Sequence, residues 1–421
     1  MPGPTAPLLG LAGGSADHLA VRRHNLALLV GHLRRHGARS RARLAAETGL
    51  NKATVSSLVT ELMERGLLAE GAAERGAVGR PGLAVDLHPR ALVALGAEIG
   101  VDHLAVLATD LRGTPLVEQR VALDAAGMTT QAVLERVAAE VGALAAPLVA
   151  AGSTPVGLTV AVPGLTDHES GSVRDAPNLG WHDQPVATPL SRLVGALLGG
   201  DADPWPVDVD NEANLAALAE LDARADADPQ ELLLLTGGAG VGGGVVTGGR
   251  LLRGARGFAG ELGHLQVDPE GLPCSCGRRG CLETVVSLPA LLTLAAAAGD
   301  PVRDPDVDVL QRLEELRRRA EQGDARTLHA LEEVGGHLLR GCASLVNVLN
   351  PEVVVLGGWF AVLGRWLAPT LERELAGHVC APDAGGARIE VSTLGVSGAV
   401  RGAALRAAAA VLEDPTLAPL R

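Results

Sequence analysis

The chain has 421 residues, a net charge of −13 and 47% hydrophobic residues, which implies a sizeable core divided over two or three domains. With no Tyr and two Phe, that core has to be packed from Leu, Val and Ala, and nucleic-acid binding by base stacking on aromatic side chains is disfavoured. No apolar run reaches the ~18 residues of a membrane-spanning helix.

Residues 1–17 have neither a basic n-region nor a long apolar stretch and are expected to be a flexible tail rather than a signal peptide. Five cysteines, three of them clustered, fit a reducing cytoplasm better than a secreted disulfide framework. Residues 22–90 carry 12 Lys and Arg against 6 Asp and Glu, so the acidic excess lies in the rest of the chain. A basic head on an acidic body points to a polyanionic partner for the head.

Helical spacing gives that head its form. Leu26, Leu29, Val30 and Leu33 share one face of a first helix that Gly37 ends. Ser40 caps a second helix, Arg41–Thr48, with Leu44 and Ala45 inward. After Gly49-Leu50, Asn51 caps a third helix that buries Val55, Leu58, Val59 and Leu62. Its other face presents Lys52 (the only lysine), Thr54, Ser56, Ser57 and Thr60, which can enter a major groove. Two short apolar runs, 67–69 and 83–85, then flank a loop ending Gly79-Arg80-Pro81-Gly82, whose arginine suits a minor groove. The candidate DNA contacts are Arg41, Asn51, Lys52, Thr54, Ser56, Ser57 and Arg80. A three-helix packing module that binds no DNA is the alternative.

From residue 92 apolar strands (93–99, 104–108, 156–162, 207–209, 232–235, 353–356) alternate with Ala/Leu-rich helices (130–151, 215–224, 329–349), an α/β texture that by itself specifies no topology. Residues 260–283 hold the most specific local signal. His264, Cys274, Cys276 and Cys281 make a complete tetrahedral shell for Zn²⁺ with no open position, hence a structural site. Gly271, Pro273, Gly277 and Gly280 allow the tight turns that gather the sulfurs, and Glu261 and Glu283 flank them. A disulfide or a chance cluster is the alternative.

This segment resembles the zinc and sugar signature of the ROK family, which unites bacterial sugar kinases with sugar-responsive repressors of the xylose and N-acetylglucosamine type. The string at 40–56 is similar to the helix-turn-helix of bacterial repressors, and Gly79–Gly82 to the ROK repressor wing. The resemblance covers residues 18–411. It implies an α/β fold with an N-terminal winged helix-turn-helix (18–90) followed by a two-lobed, actin-like and ribonuclease-H-like domain (91–412). Lobe one would span about 91–205 plus a returning helix 397–412, and lobe two about 206–396.

Position by position, the family's phosphate turn D-x-G-G-T corresponds to Glu98-Ile-Gly100-Val101-Asp102, where Val101 obstructs and Asp102 repels a phosphate. The second phosphate loop corresponds to residues 238–244 and has lost its hydroxyl. The sugar side is better kept. Asn178 lies in a P-N-x-x-W match, Asn211 and Glu212 in the V-x-N-D-x-N match, and Glu261, His264 and Glu283 complete the sugar set. Glu212 replaces the kinase's catalytic Asp, moving the carboxylate by roughly an ångström. Asn178 and Asn211 as turn caps, and Glu212 as a helix N-terminal acid, are the bland alternatives.

The resemblance therefore implies a DNA-binding repressor of carbohydrate-utilisation genes whose degenerate kinase domain binds a monosaccharide or derivative. It would not be an enzyme or meet a membrane, and it would act on a double-stranded operator as a homodimer or dimer of dimers, with structural Zn²⁺. A ROK sugar kinase with an added DNA-binding domain is the rival.

Overall fold

The computed structural model describes residues 18–73, 83–199, 204–225, 227–381 and 387–420. Two compact units are present, residues 1–88 with 409–421, and residues 89–408.

In the first unit three helices, His18–His36, Arg41–Thr48 and Lys52–Glu64, are followed by two longer strands, Leu68–Ala73 and Leu83–Leu87. The second of these pairs antiparallel with the first and with Arg39–Ser40. The caps fall at the anticipated residues. Ser40 Oγ accepts from Arg43 N–H and Asn51 Oδ1 from Thr54 N–H, while Gly37 and Gly49 turn with positive φ. Leu26, Leu29, Val30, Leu33, Leu44, Val55, Val59 and Leu62 are fully buried. The end of the chain belongs to this unit as well, since Arg65 donates to the carbonyls of Thr416 (2.9 Å) and Ala418 (2.8 Å).

The second unit holds two five-stranded sheets of one topology. Numbering each sheet's strands by sequence, both run 3-2-1-4-5, with strand 2 antiparallel to its neighbours and 1, 4 and 5 parallel. The first sheet uses Leu92–Ile99, His103–Thr109, Pro115–Ala122, Thr154–Val162 and Val207–Asn211. The second uses Leu232–Gly237, Val241–Thr247, Arg250–Leu251, Val353–Gly358 and Arg388–Val391. This repetition is the arrangement that the actin-like resemblance implies. Val207–Asn211 hydrogen-bonds into the first sheet, so that sheet runs beyond residue 205, the boundary expected for lobe one.

A shared core binds the two sheets together. Leu215 and Ala217 of the helix Glu212–Ala223, with Ala399 and Ala403 of Gly398–Glu413, pack with Ala161 from one sheet and Leu232, Leu234, Val353 and Val355 from the other. Small residues make this closeness feasible. A Cβ on Gly402 would run into the Leu215 carbonyl, and one on Gly96 into the Val400 carbonyl. Residues 238–244 are a loop only at their start. Val241–Thr247 is a strand, and its glycines serve packing: Cβ atoms at Gly243 and Gly244 would strike Leu262 and Ala217, and one at Gly242 would sit 2.7 Å from Ala213.

Among the described residues one helix, Gly395–Glu413, is long and apolar enough by length and composition to cross a membrane, which the sequence reading did not anticipate. Half of it is buried, and Arg401 and Arg406 on it pair with Glu118 and Asp208 of the first sheet, so it is a core helix here. Gly402→Val should destabilise this unit by about 1–3 kcal/mol through overpacking. Gly336→Ala, at a helical site with nothing within 4 Å, should be neutral or slightly stabilising. Calorimetric melting of both variants checks this pair of outcomes.

Candidate functional site

A cleft of about 640 Å³ in the second unit is lined by Asn178, Asn211, Glu212, Glu261, His264 and Glu283, all six of the sequence-derived sugar candidates. They reach it from chain ends of regular elements. Asn211 closes the strand Val207–Asn211 and caps the helix that Glu212 opens, its Oδ1 accepting from Ala213 N–H (2.9 Å) and Asn214 N–H (3.1 Å). Its Nδ2 donates to the Gly164 carbonyl at 2.9 Å, so this amide is committed to backbone at both ends and holds the Glu212 turn in place. Beside it Arg253 grips buried Asp210 through two contacts, 3.1 and 2.6 Å. Asn178 lies in the turn Pro177–Leu179, its side chain exposed to the cleft. Gly240 passes between it and Glu283: a Cβ there would come within 2.9 Å of Glu283 Oε2 and 3.9 Å of Asn178 Nδ2.

The carboxylates perturb one another. Glu212 forms no hydrogen bond with a described residue, and burial, reinforced by Glu98 and Glu261 and opposed by His103, pushes its pKa up to about 7. Glu261 is also shifted upward, by desolvation first and by Glu283, with His264 opposing.

The ligand atoms of His264, Cys274, Cys276 and Cys281 all lie within 4.8 Å of one another, and the three thiols are free. Cys276 and Cys281 Sγ are 3.7 Å apart, and Cys274 Sγ is 3.5 Å from His264 Nδ1. A tetrahedral ion with bonds of ~2.3 Å to sulfur and ~2.0 Å to nitrogen has edges of roughly 3.8 and 3.5 Å, so the donor set fits such an ion. The backbone makes the cage. Cys274 N–H donates to Arg278 O (2.8 Å), Val267 N–H to Gly280 O (2.8 Å) and Leu282 N–H to Leu265 O (2.8 Å). Gly280, at φ +65°, lies so close to the Asp268 carbonyl that any side chain would clash. His264 Nδ1 faces the sulfurs and its Nε2 lies 3.9 Å from Glu261.

At the turn after the first strand the His103 ring lies across Gly100, where a Cβ would collide with it. Its Nδ1 is 2.9 Å from Asp102 and its Nε2 3.4 Å from Glu98. Burial opposes a charge on His103, but the two carboxylates prevail and hold its pKa near 9. Sequence reasoning missed His103, Arg120 and Arg312, which also line the cleft. Arg120 and Arg312 lie on elements that apolar periodicity did not reveal, a largely exposed strand and the charged helix Val309–Glu321.

In the first unit Asn51, Lys52, Ser56, Ser57 and Thr60 are exposed and Thr54 partly so, on the helix face opposite Val55, Leu58 and Val59. Arg41 is turned to Glu70, 3.2 Å away. Arg80 and the rest of the Gly79–Gly82 tip lie outside the described residues.

Residues 94–410 match the profile of the ROK family. The chain belongs to the ROK family. A xylose repressor of Bacillus spizizenii (strain ATCC 23059 / NRRL B-14472 / W23) is 30% identical over 343 residues, 81% of this chain and 83% of that one. A solved ROK family transcriptional regulator, described as a homologue of the E. coli MLC protein, superposes with a TM-score of 0.73 at 25% identity over 93% of this chain and 97% of its own. A ROK family glucokinase from Streptomyces griseus, solved in complex with glucose and AMPPNP, gives a TM-score of 0.62 at 26% identity, over 74% of this chain and 98% of its own.

Glu212 makes this ROK cleft costly at high pH. Below 4.5 the group is neutral in folded and unfolded chains and contributes nothing. Above 7 it is charged in both, and the folded state bears a penalty on the order of 3 kcal/mol. Glu212→Gln should therefore raise the melting temperature at pH 8, with the gain shrinking as pH is lowered to 5. A gain of equal size at both pH values would show that burial of this charge is not its source.

Proposed function

We propose that this ROK protein is a sugar-responsive transcriptional repressor. Its first unit acts as a winged helix-turn-helix, and its cleft binds a monosaccharide or derivative in place of catalysing phosphorylation. The observation that carries this reading is coverage. Likeness to regulators extends over nearly the whole chain, whereas likeness to the glucokinase stops at 74% of it.

The chemistry of the cleft agrees. A phosphate turn needs open backbone, and here Val101 replaces a glycine while His103 covers Gly100. Asn178, Glu261, His264 and Glu283 supply the donors and acceptors that a polyhydroxylated ligand requires. Zn²⁺ held by His264, Cys274, Cys276 and Cys281 would be structural, fixing the ring and tautomer of His264 so that Nε2 can meet a hydroxyl. In the head, Lys52, Thr54, Ser56 and Ser57 would face the major groove, and Arg80 the minor groove. Arg41, held by Glu70, would contact DNA only by exchanging that partner.

A homodimer on an inverted repeat is expected, with affinity for its own upstream region falling steeply as salt rises. Lys52→Ala should weaken operator binding about tenfold, measured by fluorescence anisotropy. Salt-insensitive binding, or none, would speak against the reading. A coupled assay with a hexose panel should give no ATP-dependent phosphorylation, and robust turnover would favour the kinase alternative.

The metal can be tested separately. Cys276→Ser should lose Zn²⁺ and the operator response to sugar, whereas Glu283→Gln should keep Zn²⁺ and lose sugar affinity. Metal analysis beside sugar titration reads both. A Cys276→Ser protein without zinc that responds normally would break the link between metal and effector.

A further inference from the structure

Two carboxylates of the cleft lack the partners that a buried charge requires. Glu98, one residue from the end of the strand Leu92–Ile99, is 7% exposed, and its Oε2 is buried without a hydrogen-bond partner among the described residues. Glu212 lines the same cleft from the start of its helix and forms no hydrogen bond with a described residue. Glu98 pairs across the sheet with Ala161, and Ala161 with Asp210, so the two glutamates stand at strand ends on either side of Thr154–Val162. Each charge makes the other less favourable, and Glu98 reinforces the burial that pushes Glu212 up to about 7. Asn214, 4% exposed and also in the cleft lining, adds a third acceptor, since its Oδ1 is buried without a donor.

The cations of the cleft are engaged elsewhere. His103 lies between Asp102 and Glu98 Oε1, at 2.9 and 3.4 Å, and Arg312 lies 3.7 Å from Asp102. Arg120 acts on Asp102 and His103. The field of His103 opposes the upward shift of Glu212 without reversing it. A ligand hydroxyl could donate to either glutamate, but it would leave two neighbouring negative charges buried. A protonated amino group supplies three N–H donors, no acceptor and the opposite charge, and its bonds to carboxylate are roughly twice as strong as neutral ones. A divalent ion meets the same charge, but the imidazolium of His103 repels it twice as strongly as a single positive charge.

We propose that Glu212 and Glu98 form a cation subsite in the cleft and that the ligand it selects is an amino sugar, a monosaccharide carrying a free, protonated amino group. The role of that sugar as effector rests on the function proposed above, whereas the amino-sugar subsite stands without it. With the ammonium seated, Glu212 is held as the carboxylate, and the ligand offsets the penalty of burying that charge unpaired.

The test is isothermal titration of the full-length, zinc-loaded protein at pH 7 with a panel of aldohexoses, the matching amino-deoxy sugars and their N-acetyl forms, in which the charge is gone. Titration with magnesium chloride and measurement of operator affinity run beside it. At least one amino sugar should bind at least tenfold tighter than both its parent and its N-acetyl form. That advantage should fall below threefold in Glu212→Gln and weaken in Glu98→Gln, while Glu212→Asp, which keeps the charge, should retain part of it. Melting temperature and zinc content identify a variant that has merely failed to fold, and the other variants then carry the test. Amino sugars no better than their parents or N-acetyl forms, an advantage that survives Glu212→Gln, or no binding of any sugar would overturn the proposal. So would Mg²⁺ binding that is lost in Glu212→Gln, since it would assign the glutamates to a metal ion. If amino sugars bind with the expected advantage and operator affinity does not respond, the subsite stands and the effector reading fails. If neutral sugars alone bind and shift operator affinity, the effector reading stands and the subsite fails.

Discussion

Glu98, Glu212, Glu261 and Glu283 are four of the carboxylates that line one cleft, and the architecture around it has to make that crowding tolerable. Part of the answer is protonation, since Glu212 is pushed up to about 7 by burial and its neighbours. The rest comes from opposite charge. His103 stays protonated despite burial because Asp102 and Glu98 grip it from two sides. Arg120 and Arg312 add cations to the same cleft from different elements. At the cysteine end, three thiolates would worsen the excess, and a divalent ion among them would offset most of it. The Glu283 carboxylate lies 2.8 Å from Cys274 Sγ, which makes it the side chain most directly exposed to the state of that cluster.

Holding such groups in place requires rigid supports, and here they are strand ends. Gly100, Asn211, Gly238 and Trp359 each follow or close a strand, two in each sheet, and all line the cleft. The carboxyl ends of strands are where α/β sheets leave side chains free to meet a ligand. The close approach that brings the two sheets together depends on glycine and alanine in the shared core, where Gly96, Gly242, Gly244 and Gly402 leave no room for larger side chains. The chain's low aromatic content is therefore consistent with the way its centre is packed.

Much of this was legible in the sequence, and for identifiable reasons. Val55, Leu58, Val59 and Leu62 announce a helix face because helical periodicity is a local property, and they are buried as expected. The Cys and His spacing was informative because metal geometry tolerates few chain arrangements. The strands at 165–167, 172–176 and 181–185 went unread, being short and polar, without the alternation that a half-buried sheet shows. The glycines at 242–244 suggested a phosphate loop, while their partners Ala213, Leu262 and Ala217, distant or unreadable in sequence, make them packing residues in a strand. Arg120 and Arg312 could not be recognised as cleft residues, since nothing local tells a surface arginine from one that folding turns inward.

Under the proposed function, the same few residues account for both what the cleft has lost and what it has gained. In a kinase turn the backbone must lie open to phosphates. Here Val101 supplies bulk, and Asp102 and Glu98 fix an imidazolium over Gly100. That arrangement narrows the approach a nucleotide would use, and it also positions Asp102 3.7 Å from Arg312 of the helix Val309–Glu321. A transfer enzyme has to stabilise its transition state more than its bound substrate. A sensor needs only a ligand that favours one arrangement of its lobes over another. Groups that face each other across the cleft, such as Asp102 and Arg312, would act on that second equilibrium directly, and under the proposed function the change at the phosphate turn converts a catalytic cleft into a responsive one rather than marking simple decay.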